Sequence, residues 1–193
     1  MGQRIGLFGG TFDPPHLGHL AVAIAARDTL KLDRTLLVVA NQPWQKVGHR
    51  PVTEARHRLA MTELLVQNSD GLEVSDLEIV RGGMSYTIDT VKQLQEAGHE
   101  VVLIMGADAA AGIDSWERAT ELSRLTRIAV VDRPGYDMPE LANWSVDKIP
   151  AQSISVSSSQ VRSSMSEGSP ATDNIPSAVR RYIDLHHLEW PAR

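Results

Sequence analysis

Gly9-Gly10-Thr11-Phe12-Asp13-Pro14-Pro15-His16-Leu17-Gly18-His19 follows a short apolar run at residues 5–8 and leads into a helical pattern of Leu17, Leu20, Ala21, Ile24 and Ala25. This spacing predicts a strand, a glycine turn and then a helix that carries histidines in its first turn. Paired glycines let the backbone approach a bulky anion. The opening turn of a helix adds unpaired N–H groups at the positive end of its dipole. His16 and His19 lie three apart, share a face of that turn, and can aim N–H donors at one ligand. A tight connection alone would account for the glycines but not for the histidines. A zinc site needs three or four ligands, and the chain has neither a cysteine nor H-E-x-x-H. A dinucleotide fingerprint would read G-x-G-x-x-G with an acidic residue after the second strand, where this chain has Val38-Val39-Ala40-Asn41.

The other strong signals fit around that unit. Apolar runs at 36–39, 101–105 and 128–131 join 5–8 as predicted buried strands, with weaker strands at 72–75 and 146–149. Helical patterns fall between them at 17–30, 54–66, 88–97 and 119–125, and a last helix runs through Tyr182. Strands alternating with helices imply an α/β, Rossmann-like, doubly wound parallel sheet covered on both faces, here with a small C-terminal helical part. Ligands bind such sheets beyond the carboxyl ends of the strands, at the switch in strand order. The turn after the first strand, Asn41, Gly106 and Arg133 all fall at strand ends and should converge there. Arg56, His57 and Arg58 read as the solvated face of the second helix.

The 193 residues, 42% of them hydrophobic, can bury a real core, and 1–193 reads as one domain. No signal peptide or membrane span is expected, so the reading is a soluble, cytoplasmic protein with no membrane partner. Zero cysteines exclude disulfides and thiol chemistry. A net charge of −5 argues against a nucleic-acid partner. The serine-rich stretch 153–169 would pass for a linker, but Gln160-Val161-Arg162 after three serines suits a helix start. Ser157, Ser158 and Ser159 would then face a phosphate, and Arg162 would add a forked cation one turn later.

The segment from Gly9 to His19 resembles the H-x-G-H signature of the nucleotidyltransferase superfamily, and in full it is similar to the nicotinate-nucleotide adenylyltransferases. Ser157-Ser158-Ser159-Gln160-Val161-Arg162 matches a second element, S-S-T-x-I-R, with Ser159 where threonine is usual. The likeness continues through Ser85-Tyr86-Thr87-Ile88-Asp89-Thr90, Gly106-Ala107-Asp108, Trp116 and Arg133-Pro134-Gly135.

The resemblance implies that the 5′-phosphate of nicotinate mononucleotide attacks the α-phosphorus of ATP and releases pyrophosphate, with Mg2+ bound through ATP and no dedicated metal residues. It assigns His16, His19 and Arg162 to catalysis. Gly9, Gly10, Thr11 and Phe12 go to the ATP phosphates, Ser157, Ser158 and Ser159 to the β- and γ-phosphates, and Gly106 with Asp108 to adenosine. Asp108 reads equally as a helix N-cap. Lys46 would meet the mononucleotide phosphate, Asn41 and Thr87 would border the acceptor, and Trp116 would stack on its ring unless it is simply core. Nicotinamide mononucleotide as acceptor, a pantetheine-phosphate adenylyltransferase, and a non-catalytic nucleotide-binding module are the competing readings. A homo-oligomer stays open.

Overall fold

The computed structural model describes residues 2–43, 51–132, 141–150, 156–166 and 174–190. Among these residues six strands form one sheet: β1 (Arg4–Gly10), β2 (Arg34–Val39), β3 (Leu72–Ser75), β4 (Glu100–Gly106), β5 (Arg127–Val131) and β6 (Val146–Ile149). Their order is β3-β2-β1-β4-β5-β6 with every pairing parallel. The four runs read as strong strands are the four central strands. The two weaker ones are the edges, where one side of the backbone lacks a neighbour and less apolar surface is covered.

Around the sheet lie α1 (Leu17–Leu30), α2 (Ala55–Val66), α3 (Leu77–Arg81), α4 (Thr87–Glu96), α5 (Ala107–Ala110), α6 (Ala119–Leu125), α7 (Ser158–Ser166) and α8 (Ser177–Leu185). Strand alternation divides the core in two. Leu37, Val39, Val102, Ile104, Ala129 and Val131 face the layer of α1, α2 and α8. Leu36, Val38, Val101, Leu103, Ile128 and Val130 face the layer of α4 and α6. Helices therefore cover both faces, and the crossovers change face between β1 and β4, which puts the switch point at the end of β1. The five-residue α3 went unread in the sequence. It is too short to show a period, and its Val80 is 76% exposed.

The expected solvated face of α2 is wrong at Arg58, which is 1% exposed. Arg58, Met61, Thr62 and Leu65 stand at i, i+3, i+4 and i+7, so the arginine occupies the inward stripe of the helix. Its guanidinium donates from Nε to the Thr53 carbonyl (2.7 Å), from Nη1 to that of Thr11 (2.8 Å) and from Nη2 to that of Asn41 (3.0 Å). One side chain thus joins the turn after β1, the turn after β2 and the approach to α2. Replacing it by the apolar Arg58→Met would strip three half-buried carbonyls of their donor. We expect a loss of roughly 3–5 kcal/mol in urea unfolding, the scale for breaking a buried charged network. A loss below about 1 kcal/mol would mean that these carbonyls find other donors.

Candidate functional site

A cleft of about 260 Å³ opens at the switch point. Phe8, Gly9, Gly10 and Thr11 from the end of β1 and residues 103–106 from the end of β4 form its floor. Ala40, Pro43, Glu78, Ser85, Thr87, Ala109 and Trp116 complete the walls. Six residues singled out in the sequence, Gly9, Gly10, Thr11, Thr87, Gly106 and Trp116, meet in this one space. A Cβ at Gly9 or Gly106 would touch nothing, so both glycines leave room for a ligand. Gly10 serves packing instead. A Cβ there would lie 2.7 Å from the ring of Phe12, which is itself 2% exposed and packs edge-on to Phe8 and His19. Phe12 can therefore offer a ligand only its backbone.

Beyond the turn, His16 is the N-cap of α1 and His19 is its third residue. The backbone N–H of His16 donates to His19 Nδ1 (3.2 Å), so His19 caps its own helix and carries its proton on Nε2. The two rings stack with centroids 3.7 Å apart. His16 is 4% exposed because its ring folds over Gly18, where a Cβ would sit 3.0 Å from Nδ1. That Nδ1 is buried without a hydrogen-bond partner among the described residues, and the capping geometry turns the backbone N–H of His19 toward this side chain, which favours a lone pair on Nδ1 and the proton on Nε2. Burial lowers the His16 pKa from 6.5 to about 4, so the ring is neutral at physiological pH. The pair thus presents N–H dipoles, with His16 as an uncharged donor.

The second helix start is docked onto this first one. Ser157 and Gln160 form a reciprocal cap for α7: Ser157 N–H donates to Gln160 Oε1 (2.8 Å) and Gln160 N–H donates to Ser157 Oγ (3.2 Å). Ser158 Oγ donates to the Pro14 carbonyl (2.9 Å). Arg162 donates from Nη1 to the Asp13 carbonyl (2.7 Å) and from Nη2 to Ser159 Oγ (2.9 Å). The expectation that three serine hydroxyls face a phosphate is thereby modified, since each is engaged within the protein. What this helix start offers is the backbone of its first turn and Arg162 held against the His16 loop. Asp13, 1% exposed, accepts from Trp190 Nε1 (3.0 Å), which pins the chain end beneath the same loop.

On the opposite wall, the 3-10 turn Ile113–Ser115 is anchored by buried Ile113 and by Trp144 Nε1 donating to Asp114 Oδ1 (2.9 Å). It projects Trp116, half-buried, into the cleft. Thr87 opens α4, whose N-cap Tyr86 supplies no side-chain hydrogen bond to the first turn. Asn41 does not line the cleft. Its backbone N–H donates to Ser85 Oγ (2.8 Å) and its side-chain amide to the Gly83 carbonyl (2.9 Å), which makes it a brace between two loops. The N-cap reading of Asp108 is corrected: Gly106 is the N-cap of α5, and Asp108 is an exposed residue of its first turn. Lys46 and Arg133 lie outside the described residues. Arg58 and Glu78 were missed. The inward phase of Arg58 on α2 was a readable signal, whereas nothing local marks Glu78.

The fold defines a Rossmann-like α/β protein whose cleft opens at the switch point of the sheet. A family model described as cytidylyltransferase-like matches residues 7–164. A probable nicotinate-nucleotide adenylyltransferase of Desulfitobacterium hafniense is 39% identical, over 94% of this chain and 93% of that protein. One of the same description from a Roseiflexus species is 39% identical over 95% and 96%. The chain belongs to the cytidylyltransferase-like family, among its nicotinate-nucleotide adenylyltransferases. In overall fold it is similar to the Plasmodium falciparum nicotinic acid mononucleotide adenylyltransferase complexed with NaAD, with a TM-score of 0.83 at 22% identity over 96% and 97% of the two chains.

The buried His16 makes stability depend on pH. With a folded pKa near 4 and an unfolded one near 6.5, the unfolded chain takes up the proton first as pH falls. Stability from this residue is complete above 6.5, declines as pH drops to 4, and then levels off, a change of about 3 kcal/mol. Denaturant unfolding of the wild type and His16→Asn at both ends of that window checks it. The wild type should lose about 3 kcal/mol more than the variant, and parallel losses would refute the assignment.

Proposed function

We propose that this protein transfers the adenylyl group of ATP to nicotinate mononucleotide, forming nicotinate adenine dinucleotide and pyrophosphate. An oxygen of the acceptor's 5′-phosphate bonds to the α-phosphorus as the bond from that phosphorus to its α,β-bridging oxygen breaks, and the electron pair leaves with pyrophosphate. The acceptor is already ionised at neutral pH, so no protein nucleophile and little general-base help are needed. Alignment and stabilisation of developing charge are what remain for the protein to supply.

The observation that carries this reading is the stacked His16–His19 pair at the start of α1, locked beside Arg162 and next to the open glycine floor. Two Nε2–H donors and a guanidinium suit the α-phosphate and the departing pyrophosphate. The glycine floor admits the nucleotide, and Trp116 offers a face to a flat acceptor ring. The first turn of α4 beside Thr87, which Tyr86 leaves without a side-chain cap and whose own Asp89 carboxylate is paired with Arg118, favours a carboxylate and so the acid acceptor over its amide. Relatives that carry this activity in their names support the same choice.

Magnesium belongs to this reading as a passenger of ATP, where it neutralises phosphate charge. Among the described residues no group of three or more histidines and carboxylates gathers at cation distance. The imidazoles, backbone amides and guanidinium present fit a phosphate that carries the ion. Among them, too, no helix is long and apolar enough to cross a membrane, and we read the enzyme as cytoplasmic.

The deciding assay supplies ATP and magnesium with nicotinate mononucleotide and nicotinamide mononucleotide in parallel. Turnover favouring the acid is expected, a preference for the amide would correct the acceptor, and silence with both would overturn the reading. His19→Ala should lower kcat by roughly 10²–10³-fold, the loss of one preorganised donor; near-normal turnover would remove it from the mechanism. Trp116→Ala should raise the acceptor KM about tenfold, as for loss of one stacked ring, while the KM for ATP stays put.

A further inference from the structure

We propose that Arg81, acting through Thr90 on Glu78, sets the preference of the cleft for an acidic over an amide acceptor; this rests on the acceptor reading above. Glu78 is 7% exposed and lines the cleft with Ser85, Thr87 and Trp116, the wall assigned to the pyridine ring. A carboxylate there is unexpected in a site for a second carboxylate, because like charges at close range in a partly desolvated cleft repel. The surroundings of Glu78 remove the conflict. Its Oε1 accepts from the fully buried hydroxyl of Thr90 (2.7 Å), and that hydroxyl accepts from Arg81 Nη2 (2.8 Å). The same nitrogen lies 3.8 Å from Glu78 Oε1, while Arg81 Nη1 donates to Gln93 Oε1 (3.2 Å). The guanidinium is thus fixed from α4 on two sides and neutralises a carboxylate on α3.

The arrangement is selective because each half alone would favour a different acceptor. A bare Glu78 repels nicotinate and accepts from the –NH2 of nicotinamide, whereas a compensated one is neutral as a unit and leaves the uncapped α4 turn to govern the choice. Arg81 touches no reacting atom and is a positioning residue. Its side chain is 27% exposed, so its charge is partly screened and its effect is moderate.

The test measures kcat/KM for both mononucleotides with ATP and magnesium, and equilibrium binding of each by quenching of tryptophan fluorescence, first in the wild type. Arg81→Met should raise KM for nicotinate mononucleotide about tenfold with kcat near normal, while the amide changes by less than about threefold. Adding Glu78→Gln to Arg81→Met should return the wild-type ratio, which a merely structural role would not do. Equal losses on both acceptors, or a double variant as unselective as the single one, would overturn the proposal. If Arg81→Met does not fold, Glu78→Gln alone should raise the acid-to-amide ratio by about threefold or more, and an unchanged ratio overturns it. A wild type that neither binds nor adenylates nicotinate mononucleotide defeats the acceptor reading and this inference together. A selective wild type with an unresponsive ratio defeats only the inference.

Discussion

The guanidinium of Arg58 is the constraint on which the site depends. A parallel sheet fixes where strands end but leaves the turns beyond them free to settle in several ways. The cleft is built from those turns. Arg58 donates to carbonyls in the turn after β1 and at both ends of the connection from β2 to α2, so two loops that are remote in the sequence share one hub. A lysine could not replace it, since a point ammonium lacks the planar fork that reaches three acceptors in fixed directions. Burying the charge costs free energy, and what that cost secures is a single arrangement of the glycine floor and of the His16 loop.

A second layer of bracing continues from this hub to the far end of the chain. Arg162 and Ser158 bond the carbonyls of Asp13 and Pro14, Trp190 bonds the Asp13 carboxylate, and Leu17 N–H donates to the Asn174 carbonyl (2.8 Å). The loop between β1 and α1 is therefore clamped from α2 on one side and from the C-terminal elements on the other. Its stacked histidines need that confinement. A donor pair contributes to a transition state only if it is already oriented when charge develops, because reorganisation at that moment would consume the gain.

Much of this architecture could be read directly from the residues. The four central strands announced themselves as unbroken apolar runs because both of their faces are buried, and the alternation of their side chains between two cores followed. Gly9 and Gly106, nearly a hundred positions apart, were placed together by topology, since strand ends converge at a switch point, whereas Thr87 and Trp116 joined them only through the family resemblance. The failures have physical origins. Arg58 was taken for a surface residue because charge was weighed above helical phase. Asp108 was offered as a cap although Gly106 already stood one step ahead of the helix. The hydroxyls of Ser157, Ser158 and Ser159, assigned to a ligand from the sequence, also bond within α7 and to the neighbouring loop. For Arg58, Ser158 and Arg162 the polar group is partnered by a remote part of the chain, and such partnerships are tertiary facts with no local signature.

An acidic protein that handles two anionic substrates must attract them locally and still release an anionic product. A cage of fixed cations would do the first well and the second badly, because pyrophosphate carries more charge than any single group it replaces. The geometry here relies on dipoles: helix first turns, backbone amides along the glycine floor, and a His16 kept neutral by burial, with Arg162 partly engaged by Asp13 and Ser159. Dipoles of fixed direction respond to where charge appears more than to how much there is. In the proposed reaction they would stabilise the transition state through position while holding the leaving group less tightly than an array of bare cations. The Glu78–Thr90–Arg81 chain applies the same logic on the acceptor side, with a charge placed in the wall and neutralised there, so that direction rather than net charge governs what the cleft will take.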